Sequence, residues 1–392
     1  MIPVFPTERE AKRQVLLEAV DEVRDVLAAG ADEAEDLATL PKPTVEALYE
    51  SGLLSLKLPA ELGGAEADLL TQLDVFEAVS RIDTSAGWCL LIGSASLGRL
   101  GAFLPDDALD RLFVDGRPPR TCGVAMRTGE AHPVEGGYRV SGRWSFASGI
   151  QHSEWVTAAV RVVQDRNRVP EFLAVVFPTA EATIHDNWQV GGLRGTGSND
   201  FSVTDLYVPT AFTLDRHSLH PKRGGTIYRL GMPGFVAVEH AGFAFGVARR
   251  ALDAITEVAQ SKQRGYTSGS SLAMRSAFQR ALGEDELRLR AARALVVEIL
   301  QEVWDWVSGG ASPTLQMQVE MRSSATYATA VAVEVVTRAF RAGGGNALYE
   351  SSILPRCLRD INAAAQHLMV SDIAYELHGK MALGLPDIDP MS

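Results

Sequence analysis

The chain has 392 residues, of which 46% are hydrophobic and 22% charged, with a net charge of −12 at pH 7. That length exceeds one small core and points to two or three structural units. The acidic balance argues against a surface that tracks nucleic-acid phosphates.

The amino terminus, "MIPVFPTEREAKRQ", has no cationic segment followed by an apolar run, so no secretory signal is expected. Residues 7–118 repeat apolar side chains at spacings of three and four with charges between them, a helical pattern punctuated by Pro41, Pro59, Gly63 and Gly64. The most apolar stretch within it, "GWCLLIGSASLGRLGAFL", carries four glycines, two serines and Arg99, which suits a buried helix better than a membrane span. From about residue 119 the pattern changes to short β-rich runs, "YRVSGRWSFA", "EWVTAAVRVV", "EFLAVVFP" and "NDFSVTDLYVP", separated by Gly, Asn, Asp and Pro. From about 226 helix returns as four long amphipathic segments joined by short loops, the pattern of an antiparallel bundle. The expected fold is therefore α+β, mostly α. It comprises an N-terminal helical domain (1–118), a middle β-barrel or sheet domain (119–225) and a C-terminal four-helix bundle (226–392). Cys89, Cys122 and Cys357 lie far apart, with no CxxC pair and no histidine at ligand spacing. They read as buried reduced thiols in a cytoplasmic protein, and no metal site is expected.

Three stretches carry chemistry. "GRWSFASGIQHSEW" (142–155) sets two tryptophans and a phenylalanine among small polar residues. Such a run can be a strand pair whose rings fill a core. It can also meet a flat cofactor, with Trp144, Phe146 and Ser148 supplying apolar faces and edge donors. "GGLRGTGSND" (191–200) is rich in Gly, Ser and Thr, but no lysine follows and a strand comes next. It is neither a P-loop nor a dinucleotide turn, and Trp188 just before it is a second ring wall. In "RCLRDINAAAQHLMV" (356–370) Asp360 and His367 are seven apart, which on one helix places them on roughly one face. The three alanines between them, Ala363, Ala364 and Ala365, leave room beside that helix.

Taken together these stretches resemble the acyl-CoA dehydrogenase superfamily over nearly the whole chain. The resemblance rests on the α–β–α order and on "SRIDTSAGW" (80–88), "GGLRGTGSNDFSVTDLYVP" (191–209) and "AGGGNALYESSILPRCLRDINAAAQH" (342–367). Within the superfamily the chain looks most like the two-component (group D) flavin-dependent monooxygenases. The marks are the W-x-F-x-S-G-x-x-H-x-x-W segment from Trp144 to Trp155 and the histidine that ends RDxxAxxQH, His367.

The resemblance implies that Phe146, Ala147 and Ser148 meet the flavin edge, with Ser148 near the reactive nitrogen. The family often has Ser or Thr at Ala147, so one flavin hydrogen bond is lost here. It implies that Trp188 walls the ring, Trp88 lines the substrate pocket and Arg264 reaches a flavin phosphate across a subunit interface. Where one group of dehydrogenases holds its glutamate base this chain has Leu368, and His367 precedes it. An imidazole there can move a proton near neutral pH or hydrogen-bond a peroxide on the ring. The implied function is the oxygenase component of a flavin-dependent monooxygenase. It takes reduced FMN or FAD from a separate reductase and uses O2 on a small aromatic or heteroaromatic substrate, as a homotetramer. Two alternatives stand beside it: a dehydrogenase with Glu239 as base, and a helical scaffold without flavin affinity.

Overall fold

The computed structural model describes residues 4–163, 171–215, 218–261 and 271–391. The first helix, α1 (Arg9–Leu37), starts where the Glu8 carboxylate accepts the Glu10 and Ala11 amides at 2.9 and 2.6 Å. It buries Leu16, Val20, Val23 and Leu27 on one stripe. Helices α2 (Lys42–Glu50), α3 (Leu69–Ile82), α4 (Thr84–Phe103) and α5 (Asp106–Leu112) follow. Asp68 and Asp83 cap α3 and α4 by accepting amide protons of their first turns. α4 is long and apolar enough to cross a membrane by composition, but most of it is buried inside the protein. Its Gly98 and Gly101 let the segment at Lys57, Leu58 and Pro59 lie directly against it, since a Cβ at either position would fall within 3 Å of that segment.

Seven strands form one sheet in the order β5-β6-β2-β1-β3-β4-β7. They are β1 (Thr121–Val134), β2 (Gly137–Trp144), β3 (Trp155–Val162), β4 (Glu171–Pro178), β5 (Thr183–His185), β6 (Asp200–Pro209) and β7 (Thr213–Asp215). Among the described residues only β1 and β3 run parallel; their register breaks between Val124 and Gly129, where Gly129 admits the Trp144 ring. Trp144 is fully buried, stacked on Phe201 at 5.1 Å, and its indole N–H donates to the Ala159 carbonyl at 2.8 Å. It is a sheet-core residue, so of the two readings open for this run the core reading holds at Trp144. The strand ends at Trp144, so the segment after it leaves the sheet and is free to do something else.

Three long helices follow, α6 (Gly231–Ser261), α7 (Ser276–Ser308) and α8 (Leu315–Gly343). The expected fourth long helix is broken into α9 (Ile353–Ala364) and α10 (Ile373–Ala382). His367 therefore does not share a helical face with Asp360; it caps a 3-10 turn (Leu368–Val370) in the break. Beside Ala363 the room is taken by the backbone at Gly192, so close that a Cβ there would come within 2.3 Å of the Arg359 carbonyl and 3.1 Å of Ala363.

Candidate active site

α4, the turn after β2, the 191–200 loop, α6 and the break after α9 converge on one cluster. Trp88 of α4 is 6% exposed, and its ring meets the edges of His240 (5.6 Å between centroids), His367 (5.7 Å) and Phe243 (5.2 Å). The two imidazoles lie 4.4 Å apart, tilted by 34°. Trp88 also donates its N–H to Ser148 Oγ at 3.1 Å, which brings three of the residues singled out in the sequence, Trp88, Ser148 and His367, into one place.

The hydroxyls beyond Ser148 form a chain whose direction can be read. Thr196 donates to the Leu193 carbonyl (2.8 Å), so its oxygen accepts from Ser198 (2.6 Å), and Ser198 in turn accepts from Ser148 (2.7 Å). Each hydroxyl has one proton to give. The Ser148 proton is thus committed to Ser198, one lone pair is taken by Trp88, and one remains. Leu193 is the hub: its carbonyl also accepts the Trp188 N–H at 3.1 Å, and its amide donates to Asp360 Oδ1 at 2.6 Å. Thr84 donates to the other Asp360 oxygen, so Asp360 locks α4, α9 and the 191–200 loop together. Burial pushes its carboxyl up to about 6.

His367 Nδ1 accepts the Met369 amide at 3.2 Å, which places the proton of the neutral ring on Nε2. Desolvation holds the ring down at about 4, and His240 well below its ordinary value, with His367 and Lys57 adding to the latter effect. Both imidazoles are neutral at pH 7. Leu368, where the sequence resemblance implies the glutamate of one group of dehydrogenases, is 47% exposed and carries no base. Glu239 precedes His240 on α6, but its carboxylate is paired with Lys57, which also donates to the Phe235 carbonyl and lies 4.3 Å over the Phe235 ring. Burial raises the Glu239 carboxyl and lowers the Lys57 ammonium against their mutual attraction.

Phe146 is 67% exposed with φ +69°, an uncommon backbone conformation for an aromatic residue. Trp188 stands at 87° to it with centroids 6.2 Å apart, making an open aromatic corner. Ala147 is buried beneath, its amide donating to the Asn199 carbonyl at 3.2 Å. Arg264 lies outside the described residues. Sequence reasoning missed Lys57, Thr196, Ser198 and His240 as a set. Lys57 did leave a signal, a cation inside the apolar run "LLSLKLPAEL". Two larger spaces lie elsewhere. A charged groove of about 720 Å³ passes Arg24, Arg81, Arg250 and Glu286. A cleft of about 340 Å³ at the start of α6 is lined by Tyr228, Met232, Phe235, Gln318 and Arg99, one turn before Glu239.

A helical domain, a sheet and a helical bundle meeting at a ring-lined, hydroxyl-laced cluster define the fold of a flavin-dependent oxidoreductase. Residues 9–102 match the acyl-CoA dehydrogenase N-terminal domain and residues 238–372 the acyl-CoA dehydrogenase C-terminal domain, and the chain belongs to that family. Indole-3-acetate monooxygenase from Pseudomonas putida is 28% identical over 368 residues, covering 93% of this chain and 92% of that protein. HsaA, the oxygenase subunit of a flavin-dependent monooxygenase from Rhodococcus jostii, is 27% identical over 392 residues, covering 96% of this chain and 100% of that one. XiaF from Streptomyces sp., solved in complex with FADH2 and glycerol, superposes with a TM-score of 0.89 at 26% identity over 97% of both chains.

Proposed function

We propose that this chain is the oxygenase component of a two-component flavin-dependent monooxygenase. It takes reduced flavin from a separate reductase and, with O2, transfers one oxygen atom to a small aromatic or heteroaromatic substrate, the other oxygen leaving as water. Similar proteins named as oxygenase subunits and components support the separate reductase. Indole-3-acetate monooxygenase and a resorcinol hydroxylase support the substrate class.

The residues fit a flavin. Phe146 and Trp188 offer an exposed right-angled apolar corner, and the Phe146 amide has no hydrogen-bond partner among the described residues. Reduced flavin supplies the two electrons that activate O2. The chain supplies the rest: Phe146, Ala147 and Trp188 seat the ring, and Ser148 offers its remaining lone pair at the ring edge. Trp88 lines the substrate space and keeps water from it. His367 presents its Nε2–H to the reacting oxygen or exchanges a proton with the substrate. The observation that carries the reading is the neutral His367 beside Trp88 and Ser148, with the dehydrogenase base position occupied by leucine and Glu239 held by Lys57.

Arg264 is assigned to the phosphate of FMN or FAD, and the assembly to a cytoplasmic homotetramer built on bundle contacts. Leu348, Tyr349 and Leu383, all at least 68% exposed near the bundle's carboxyl-terminal helices, support an apolar contact between copies. The decisive test is to mix the protein with photoreduced FMN or FAD, ¹⁸O₂ and a panel of phenols and indoles. One ¹⁸O atom should enter a product. Flavin oxidation that never yields a labelled product, or bleaching of bound FAD by an acyl-CoA, would overturn the assignment.

A further inference from the structure

We infer that Arg322 is a positioning residue for His367, and that the carboxyl-terminal segment at Pro390 completes its grip on the turn that carries this histidine. Arg322 sits on α8 and is 1% exposed. Among the described residues its guanidinium donates to the carbonyls of Met369 from Nε at 3.3 Å, Leu368 from Nη2 at 3.0 Å and Pro390 from Nη1 at 2.9 Å. Two of these belong to the 3-10 turn that His367 caps, and the amide of one of them, Met369, donates to His367 Nδ1.

The physical need is plain. Where the fourth bundle helix breaks, the Leu368 carbonyl also accepts from the Ser371 hydroxyl at 2.9 Å, but the Met369 carbonyl, on a residue 5% exposed, loses its helical ladder, and an unpaired buried carbonyl is costly. A planar fork of donors satisfies several at once, which an ammonium does not. Burying a cation to do this is costly: desolvation lowers its pKa, and the Asp389 carboxylate opposes that shift. What the guanidinium adds is a fixed peptide orientation at Met369, and hence a fixed proton position on His367. The inference rests on His367 as the proton-handling group.

The test uses the full-length protein labelled with ¹⁵N-histidine, the His367 resonances being assigned by their loss in His367→Gln. Wild type should show Nε2–H with Nδ1 unprotonated. In Arg322→Met the ring should become a mixture of tautomers. The ratio of product to hydrogen peroxide should fall by about tenfold or more, within the span of one positioned acid–base group, while reduced flavin is still oxidised. Arg322→Lys should recover part of both signals, and a chain ending at Asp387 should fall between. These two also carry the comparison if Arg322→Met does not fold. Wild-type coupling with an unchanged tautomer, or lost coupling with an unchanged tautomer, would overturn the positioning role. Normal oxygenation by His367→Ala would instead fail the functional reading, leaving the tautomer result to judge Arg322.

Discussion

The Lys57 ammonium and the Glu239 carboxylate form an ion pair inside the protein, with the two side chains 0% and 2% exposed. Removing one partner of such a pair leaves a buried charge uncompensated, at a cost of about 3–5 kcal/mol. Glu239→Gln should therefore lower stability by that amount in urea unfolding, and pairing it with Lys57→Met should recover most of the loss. Product formed per oxygen consumed should change little at a temperature where the variant is folded. A Glu239→Gln protein of unchanged stability that has lost turnover would revive Glu239 as a base.

His367→Ala removes a neutral imidazole and its weak acceptor bond to the Met369 amide. Product formation should fall by roughly 10²–10⁴, the span of a positioned acid–base group. Oxygen should still be consumed and appear as hydrogen peroxide. An unchanged urea midpoint and retained binding of reduced flavin separate this outcome from misfolding, and full coupling in the variant would end the assignment.

The helical, β and helical order was legible because each part has its own hydrophobic period, and the family resemblance extended that reading to the flavin. Trp88, Ser148 and His367 were found separately and do converge. What composition and spacing could not show was direction. Trp144 and Phe146 are two residues apart and both aromatic, yet one is in the sheet core and the other is largely exposed. The difference is a positive φ that no propensity predicts. Treating Asp360 and His367 as one face failed because the helix stops at Ala364, where the turn is held by Arg322 from a distant helix. Such tertiary overrides leave no local trace.

The Trp88–Ser148 bond makes a coupling prediction. Trp88→Phe keeps most of the ring and removes the donor, and should cost roughly 1–2 kcal/mol. Ser148→Ala leaves both the Trp88 N–H and the Ser198 oxygen short of a partner, at about 1–3 kcal/mol. Once either is made, the bond between them is already gone, so the double variant should lose less than the sum by at least roughly 0.5 kcal/mol. Urea midpoints for the four proteins measure this directly. Strict additivity would show that the indole and hydroxyl do not interact in solution.

Two groups should give pH dependences of opposite sign. Burial holds His152 at about 4, below the 6.5 of an unfolded chain, and leaves its Nδ1 without a partner among the described residues. Between those values the unfolded state takes up a proton that the native state refuses, so the histidine's stability contribution is full above pH 6.5 and is lost as pH falls toward 4. Asp360 is the reverse case: burial raises its carboxyl from 3.8 to about 6, so its contribution is full below 3.8 and is lost as pH rises through 6. His152→Gln should therefore gain stability relative to wild type as pH drops from 7 to 5, and Asp360→Asn should lose it. Between pH 7 and 5 the upper bounds are about 2 kcal/mol for His152 and about 1.4 kcal/mol for Asp360, reduced for His152 by the solvent reaching its partly exposed ring. Urea unfolding at the two pH values gives both differences, and swings of the same sign would show that one of the two groups does not have the environment described.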